Sequence, residues 1–245
     1  MTEPIGEEFM RQTRYENMSK PAQSQGLPQP PLELAWDEKA ELISLPAPSD
    51  FNLSSFDLQT AIEQRKTVRA YSVQQLSLTE LSYLLWCTQG VKSATDRPSL
   101  LRTVPSAGAR HPFETYLLIN KVEGLRPGLY RFISTKHSLL ETEMQLDIAE
   151  RITHACLDQK QILNSAVTFL WDAVVERTSW RYGQRAFRYM HLDAGHVCQN
   201  LYLAAESINC GVCAIAAFDD QLLNEAVNLD GIHQFIIYAA SLGKK

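Results

Sequence analysis

Two short stretches carry side chains that could act together on a ligand: Arg65-Lys66-Thr67-Val68-Arg69 and Pro105-Ser106-Ala107-Gly108-Ala109-Arg110-His111-Pro112. The first packs three cations and a hydroxyl into five residues, a set suited to a terminal phosphate. Guanidinium groups grip phosphate oxygens in pairs, and a hydroxyl adds one more hydrogen bond. The second is a turn of small residues between two prolines, where backbone amides can come close to a flat ligand. Taken singly, the first also reads as a solvated basic helix end and the second as a plain turn between helix and strand. No Gly-x-Gly-x-x-Gly and no Walker loop occurs, so the phosphate sites of dinucleotide-binding and P-loop folds are not on offer. The six histidines show no metal spacing: His191 and His196, five apart, point about 140° away from each other on a helix. Cys210 and Cys213 form a Cys-x-x-Cys pair without a second pair, at most half a zinc site. We expect them to be small core residues beside a strand, and expect no metal.

The elements that must position these residues follow from patterning. Ser55 is a candidate N-cap for a helix over 56–64, and Ser77 for one over 78–89 whose Leu81, Leu84, Leu85 and Thr88 share one side. Strands are expected over 114–120 and 128–133, with Pro127-Gly128 at the turn between them. A helix is expected over 149–157, and the apolar run 166–175 reads as a buried strand. The longest element is a helix over 186–209, along which Met190, Ala194, Val197, Leu201, Ala204 and Ile208 recur at spacings of four and three. A strand over 212–216, a helix from Asp219 or Asp220 and a final strand over 235–242 complete the chain. The irregular alternation of helices and strands favours an α+β fold over a doubly wound parallel sheet.

Seven of the eleven prolines fall within the first fifty residues, so residues 20 to 50 are expected to be extended, with one short helix possible over 6–17. Residues 1–50 then form a Pro-rich N-terminal arm and residues 51–245 the domain proper. The arm is either a floppy leader or a strap around its own domain or a partner subunit. The 245 residues suffice for one large domain, and an apolar share of 45% is that of an ordinary globular chain. A net charge of −5 argues against a nucleic-acid binder. Five scattered cysteines suit a reducing compartment, and no apolar stretch is long enough to span a bilayer, so a cytoplasmic protein with no membrane partner is expected.

Four segments together resemble the nitroreductase family of flavin enzymes, and within it the SagB-type dehydrogenase subgroup linked to azoline oxidation in peptide natural products. They are Arg65 to Arg69, Pro105 to Pro112 with Glu114, Pro127-Gly128-Leu129-Tyr130-Arg131, and Arg181 to Tyr189 continuing into Asp193-Ala194-Gly195-His196 and Gln199-Asn200-Leu201. The resemblance runs from about residue 55 to the C-terminus. It implies an α+β homodimer with a central, mainly antiparallel sheet, long helices packing across the interface and two FMN molecules between the subunits. The seam from Met190 to Ile208 is consistent with such an interface helix.

By the same resemblance, Arg65 and Thr67 contact the FMN phosphate and ribityl chain with Lys66 beside them, and Arg69 lies near the pyrimidine edge of the flavin. A cation there stabilises the anionic reduced ring. Pro105, Ser106, Ala107 and Gly108 line the flavin edge, and Ala214, Ile215, Ala216 and Ala217 match a loop of small residues facing N5. Lys244 sits where relatives place a further phosphate-binding cation, or is a plain terminal lysine. Azoline-oxidising relatives carry a Lys-Tyr pair where this chain has Arg181-Tyr182. Arginine does not readily give up its proton, so it is unsuited to be a general base, while Tyr182 remains a candidate proton donor or substrate contact. Arg185 and Arg188, three apart on one helix face, are expected to be structural. The implied activity is that of an FMN-dependent oxidoreductase working by ping-pong hydride transfer, with NAD(P)H as a donor and a small-molecule or peptide substrate. The alternatives are an FMN-binding subunit of a peptide-modification complex, or a non-catalytic relative.

Overall fold

Capped amphipathic stretches and runs of alternating apolar residues become helices and strands in the order that patterning dictates. The computed structural model describes residues 3–52, 55–95 and 99–245. In chain order they form α1 (Ile5–Gln12), β1 (Leu42–Ser44), α2 (Leu58–Gln64), α3 (Leu78–Gln89), β2 (Val91–Ala94), β3 (Leu100–Arg102), β4 (Phe113–Ile119) and β5 (Gly128–Ile133). There follow β6 (Ser138–Glu143), α4 (Ile148–Ala155), α5 (Gln161–Asn164), β7 (Val167–Val174), α6 (Val175–Tyr182), α7 (Ala186–Glu206), β8 (Cys210–Ile215), α8 (Asp220–Ala226) and β9 (Gln234–Lys244).

Seven strands make one sheet in the order β1-β6-β5-β4-β7-β9-β8, every neighbouring pair antiparallel, while β2 and β3 form a separate hairpin. Period-two alternation divides the core between the two faces of this sheet. On one face Leu117 and Ile119 of β4, Tyr130 and Phe132 of β5, and Phe169 and Trp171 of β7 pack with α3 and α7. On the other, Tyr116, Leu118, Leu129 and Leu170 meet α4, α5 and α8. This is the expected α+β arrangement, a central antiparallel sheet flanked by helices.

Local chemistry sets the helix ends. Ser77 accepts from the Glu80 amide (3.2 Å) while Glu80 accepts from the Ser77 amide (2.9 Å), a reciprocal cap that starts α3 at Leu78 as expected. The cap of α2 differs from the expected one. Asp57, not Ser55, takes the Thr60 amide (2.8 Å), so the helix begins two residues later at Leu58. The first helix stops at Gln12 rather than reaching Asn17. Thr13 caps it, and Tyr15–Asn17 forms a separate 3-10 turn. Several elements escape the patterning: α6, whose sequence is mostly polar, the short helix α5, the hairpin β2–β3, the edge strand β1 and its neighbour β6.

The seam of α7 from Met190 to Ile208 is buried, but inside its own chain against the sheet and α3. The expectation that this seam faces a partner is therefore corrected. The solvent-facing side of the helix is the opposite stripe, with His191, Leu192, Gly195, His196 and Gln199 exposed and Leu192 61% accessible. Cys210 and Cys213 are buried on opposite faces of the sheet, which forbids a shared ligand.

The proline-rich segment is folded onto its own chain. β1 pairs with β6, the Leu34 amide donates to Glu114 (2.8 Å), and Trp180 Nε1 donates to the Leu27 carbonyl (2.9 Å). Further back, Arg188 Nε donates to Thr13 Oγ1 (2.5 Å), and the hydroxyls of Tyr15 and Tyr189 lie 2.9 Å apart. Residues 3–45 thus lie as a strap along the sheet edge and over α6.

Candidate functional site

The cationic motif sits where α2 ends. Arg65 is the C-terminal cap of that helix, after which the chain runs extended beside β8. Thr67 forms a parallel bridge with Val212, and the Val68 amide donates to the Val212 carbonyl at 2.9 Å. This approach explains the glycine at 211, since a Cβ there would stand 2.5 Å from that of Val68.

Tyr202 of α7 ties the motif to the loop that follows β8. Its hydroxyl lies 3.3 Å from Thr67 Oγ1 and accepts from the Ala214 amide at 3.0 Å, and its ring carries the Arg65 guanidinium 5.3 Å from the centroid. Arg65, Thr67 and Ala214 therefore converge on one side chain. Ala214 and Ile215 end β8, and Ala216 and Ala217 follow it as exposed small residues. Among the described residues, Arg65, Lys66 and Arg69 have no carboxylate within ion-pair distance. Lys244 differs. It is 6% exposed, its ammonium pairs with Glu80 and donates to the Ile208 carbonyl (2.9 Å), so its charge is engaged within the chain.

The proline-flanked turn is anchored elsewhere on α7. Ser106 Oγ donates to Asp193 (2.6 Å) and accepts the His111 amide (2.9 Å), while the Ala107 amide donates to the same carboxylate (3.2 Å). Burial raises the Asp193 pKa, with the Ser106 and Ala107 donors opposing it. Gly108, Ala109 and His111 all have positive φ, at 58°, 52° and 44°. Two of the three are not glycine, and such backbone persists where the surroundings over-determine it, often at ligand sites. Burial and the nearby Arg102 push His111 down to about 3, which leaves it a neutral hydrogen-bonding group.

Tyr182, at the end of α6, lies directly over this turn. A Cβ on Gly108 would stand 2.5 Å from the Tyr182 hydroxyl and 2.9 Å from the Arg181 side chain. The structure thus brings Tyr182 to Gly108, and Pro105 opens the same turn. Tyr182 packs edge-on against Tyr189, with ring centroids 4.8 Å apart, and its hydroxyl has no hydrogen-bond partner among the described residues. Arg185 and Arg188 hold the strap through Thr13 and Met10, the structural role expected of them.

The predicted residues therefore fall into two groups within one chain, one around Tyr202 and one around Asp193. Nine helical residues separate these anchors, about 14 Å along the axis of α7. Sequence reasoning passed over Tyr202, and it quoted Asp193 without giving it a role. The available signal was the same for both: a polar side chain on the inward side of an otherwise apolar helix.

An antiparallel sheet lies between two helical layers, with a cation cluster unpaired among the described residues at the end of α2 and a strained small-residue turn anchored to α7, an α+β domain with a candidate ligand site. The nitroreductase family profile matches residues 62–244, and the chain belongs to that family. The candidate nitroreductase MJ1384 of Methanocaldococcus jannaschii is 33% identical over 194 residues, covering 79% of this chain and 94% of that protein. The trifolitoxin-processing protein TfxB of Rhizobium leguminosarum bv. trifolii is 26% identical over 158 residues, covering 61% of this chain and 41% of that one. Among solved structures, a candidate nitroreductase from Anabaena variabilis matches with a TM-score of 0.65 at 28% identity, over 77% of this chain and 38% of that one. The E. coli microcin synthetase McbBCD complex with truncated pro-MccB17 matches at 0.61 and 19% identity, over 85% of this chain and 79% of that one. A Desulfovibrio desulfuricans candidate nitroreductase in complex with FMN matches at 0.54 and 15% identity, over 78% and 87%. The last two show the shared fold. No helix among the described residues is long and apolar enough to cross a membrane.

Proposed function

We propose that this nitroreductase-family oxidoreductase is FMN-dependent and works as a homodimer in which each flavin is held by both chains. The observation that carries this reading is the convergence of Arg65, Thr67 and the Ala214 amide on Tyr202, beside cations that no acid among the described residues neutralises. Such a set fits a phosphate at one end and a flat ring system along the small-residue loop. When bound, FMN supplies two-electron, ping-pong hydride transfer at N5, with NAD(P)H or the organic substrate as donor.

The chain's own residues then have definite tasks. Arg65, Lys66 and Thr67 hold the phosphate and ribityl end, and Arg69 places positive charge toward the ring. Ala214 to Ala217 present backbone and short side chains, so that a substrate can reach contact distance. Pro105 to Gly108 supply the facing edge. In the homodimer reading, that edge faces the flavin held by the second chain. The exposed stripe around Leu192, and the exposed Leu58 and Ile62 one turn apart on α2, supply apolar surface for the second copy. Lys244 is left out of the phosphate set because Glu80 already holds it. Tyr182 Oη, free of internal partners, is the group placed to donate a proton or a hydrogen bond to the substrate.

A second reading, an FMN-binding subunit of a peptide-modification complex, is favoured by the relatives TfxB and microcin synthetase, the latter crystallised with a peptide precursor. Arg181 in place of lysine weighs against azoline-type base chemistry in that setting.

The visible spectrum of purified protein before and after anaerobic NADH or NADPH separates these readings. A yellow protein that bleaches supports the first, and a yellow protein that ignores both nucleotides supports the second. A colourless protein that cannot be loaded with FMN overturns both. Arg65→Glu is expected to abolish FMN retention, and unchanged occupancy would refute the phosphate assignment.

A further inference from the structure

Beside Tyr182 the strap roofs a cavity of about 410 Å³, enough for a ligand of one or two rings. Tyr15, Lys20, Pro21, Arg181, Tyr182 and Arg185 are among the residues that line it, and no carboxylate among the described residues does. Its donors are largely unspent. Neither Arg181 nor the Lys20 ammonium has an acidic or hydrogen-bonding partner among the described residues, and Tyr182 Oη is likewise free. Arg185 is held in place through Nε to Tyr189 (2.9 Å) and Nη1 to the Thr13 carbonyl (2.7 Å), with the guanidinium stacked 4.4 Å over Tyr15.

A fourth cation stands behind them. Arg110 donates to the Gly108 carbonyl (3.1 Å) and lies over Trp180, and burial together with the neighbouring Arg181 lowers its pKa. Guanidinium groups that crowd one another without an acid between them cost stability in the empty protein. An arriving anion relieves that cost, and planar guanidinium forks match a planar carboxylate. Two aromatic side chains, Tyr15 and Tyr182, form part of the wall, and aromatic surface favours a flat, unsaturated neighbour over an aliphatic chain.

We propose that this cavity recognises the substrate, and that it takes a carboxylate attached to a flat, unsaturated group. The carboxylate meets Arg181 and Lys20, with the positive charge of Arg185 beside them, and Tyr15 and Tyr182 flank the flat part. The substrate assignment rests on the flavoprotein reading above, because Tyr182 links the cavity to the Gly108 turn that would line the flavin. Binding itself does not depend on that reading. The strap is then a wall of the site, and its Tyr15 and Lys20 select the ligand.

Isothermal titration of the full-length protein with benzoate and benzamide tests this, with visible absorbance of the same sample recording its flavin content. Benzoate is expected to bind at least about ten-fold more tightly than benzamide, and Arg181→Gln to weaken benzoate about ten-fold. Arg181 is exposed and makes no internal hydrogen bond, so this variant tests charge without breaking a fold contact. Lys20→Gln is the independent second variant and is expected to act in the same direction. Arg65→Glu should leave benzoate binding unchanged. N-acetylphenylalanine against its amide serves as the contrast: its carboxylate sits on a tetrahedral carbon, so binding it more tightly than benzoate would overturn the flat-acid assignment. Equal binding of benzoate and benzamide, benzoate binding lost in Arg65→Glu but kept in Arg181→Gln, or displacement of benzoate by equimolar inorganic phosphate would overturn it. A colourless protein that cannot be loaded with FMN yet still discriminates benzoate refutes the flavin reading alone, and a yellow one that does not discriminate refutes the cavity alone.

Discussion

Asp172→Asn should make this protein more stable at pH 8 and leave it nearly unchanged at pH 4. Asp172 lies on β7, fully buried, directly across from Glu114 on β4, and neither of its carboxylate oxygens has a hydrogen-bond partner among the described residues. Glu114 is already claimed by the Arg177 guanidinium and the Leu34 amide. Burial first, then the Glu114 charge, raise the Asp172 pKa from 3.8 to about 8, against the opposing pull of Arg177 and Arg131. The folded state therefore holds a proton that the unfolded chain releases above pH 4. Stability from this group is complete below the unfolded pKa and drains away as pH rises toward 8. At about 1.36 kcal/mol per pH unit, the loss by pH 7 to 8 is on the order of 4 kcal/mol. Asparagine keeps the shape of the neutral acid and removes the proton from the balance. Urea unfolding of both proteins between pH 4.5 and 8.5 reads the difference, which should widen steadily with pH. A variant destabilised by about 3 kcal/mol or more at pH 8 would refute the reasoning, because that is the signature of breaking a buried ion pair with Arg131 or Arg177. The strap shares the outcome, since the Pro31 carbonyl accepts from Arg177 and the Ala35 carbonyl from Arg131.

Other consequences are open to measurement. Gly108→Ala places a methyl group 2.5 Å from the Tyr182 hydroxyl at a left-handed backbone position, and should cost about 1–3 kcal/mol in thermal or urea unfolding. Adding Tyr182→Ala should recover part of that loss, and strict additivity of the two would refute the contact. Tyr202→Phe removes a hydroxyl shared by Thr67 and the Ala214 amide, so FMN affinity should fall roughly five- to ten-fold in a fluorescence titration with little change in fold. Leu192→Asp on the exposed stripe of α7 should convert a dimer to monomers in light scattering and lower flavin occupancy with it. A dimer that survives this change would move the interface elsewhere.

How much was legible beforehand depends on how local the cause is. The Ser77–Glu80 reciprocal cap and the apolar run of β7 act over a few residues, and α3 and β7 form where patterning puts them, whereas the turn expected at Pro127-Gly128 lies instead at Val122–Leu125, with Gly128 already the first residue of β5. The cap of α2 was misplaced because Ser55 and Asp57 both carry cap chemistry, and only the geometry at Thr60 chooses between them. The helix α6 is mostly polar and gives no apolar stripe to read. It is stabilised by the strap, whose contribution through Leu27 and Pro31 comes from more than 140 residues earlier.

The same division holds for the site. Sequence by itself determined the kinds of group present: a cation cluster, a proline-flanked turn of small residues, and a long helix with one apolar seam. Those are properties of residue type and spacing, which act within a few turns of chain. Only the tertiary structure decided that Tyr202 gathers Arg65, Thr67 and Ala214, that Asp193 holds the turn some 14 Å away, and that Lys244 is engaged by Glu80. It also decided that the seam of α7 faces inward while Leu192 faces outward. Each of these is a contact between distant segments, fixed by which faces of the sheet and helices are left to be covered, and one segment read alone does not contain that information.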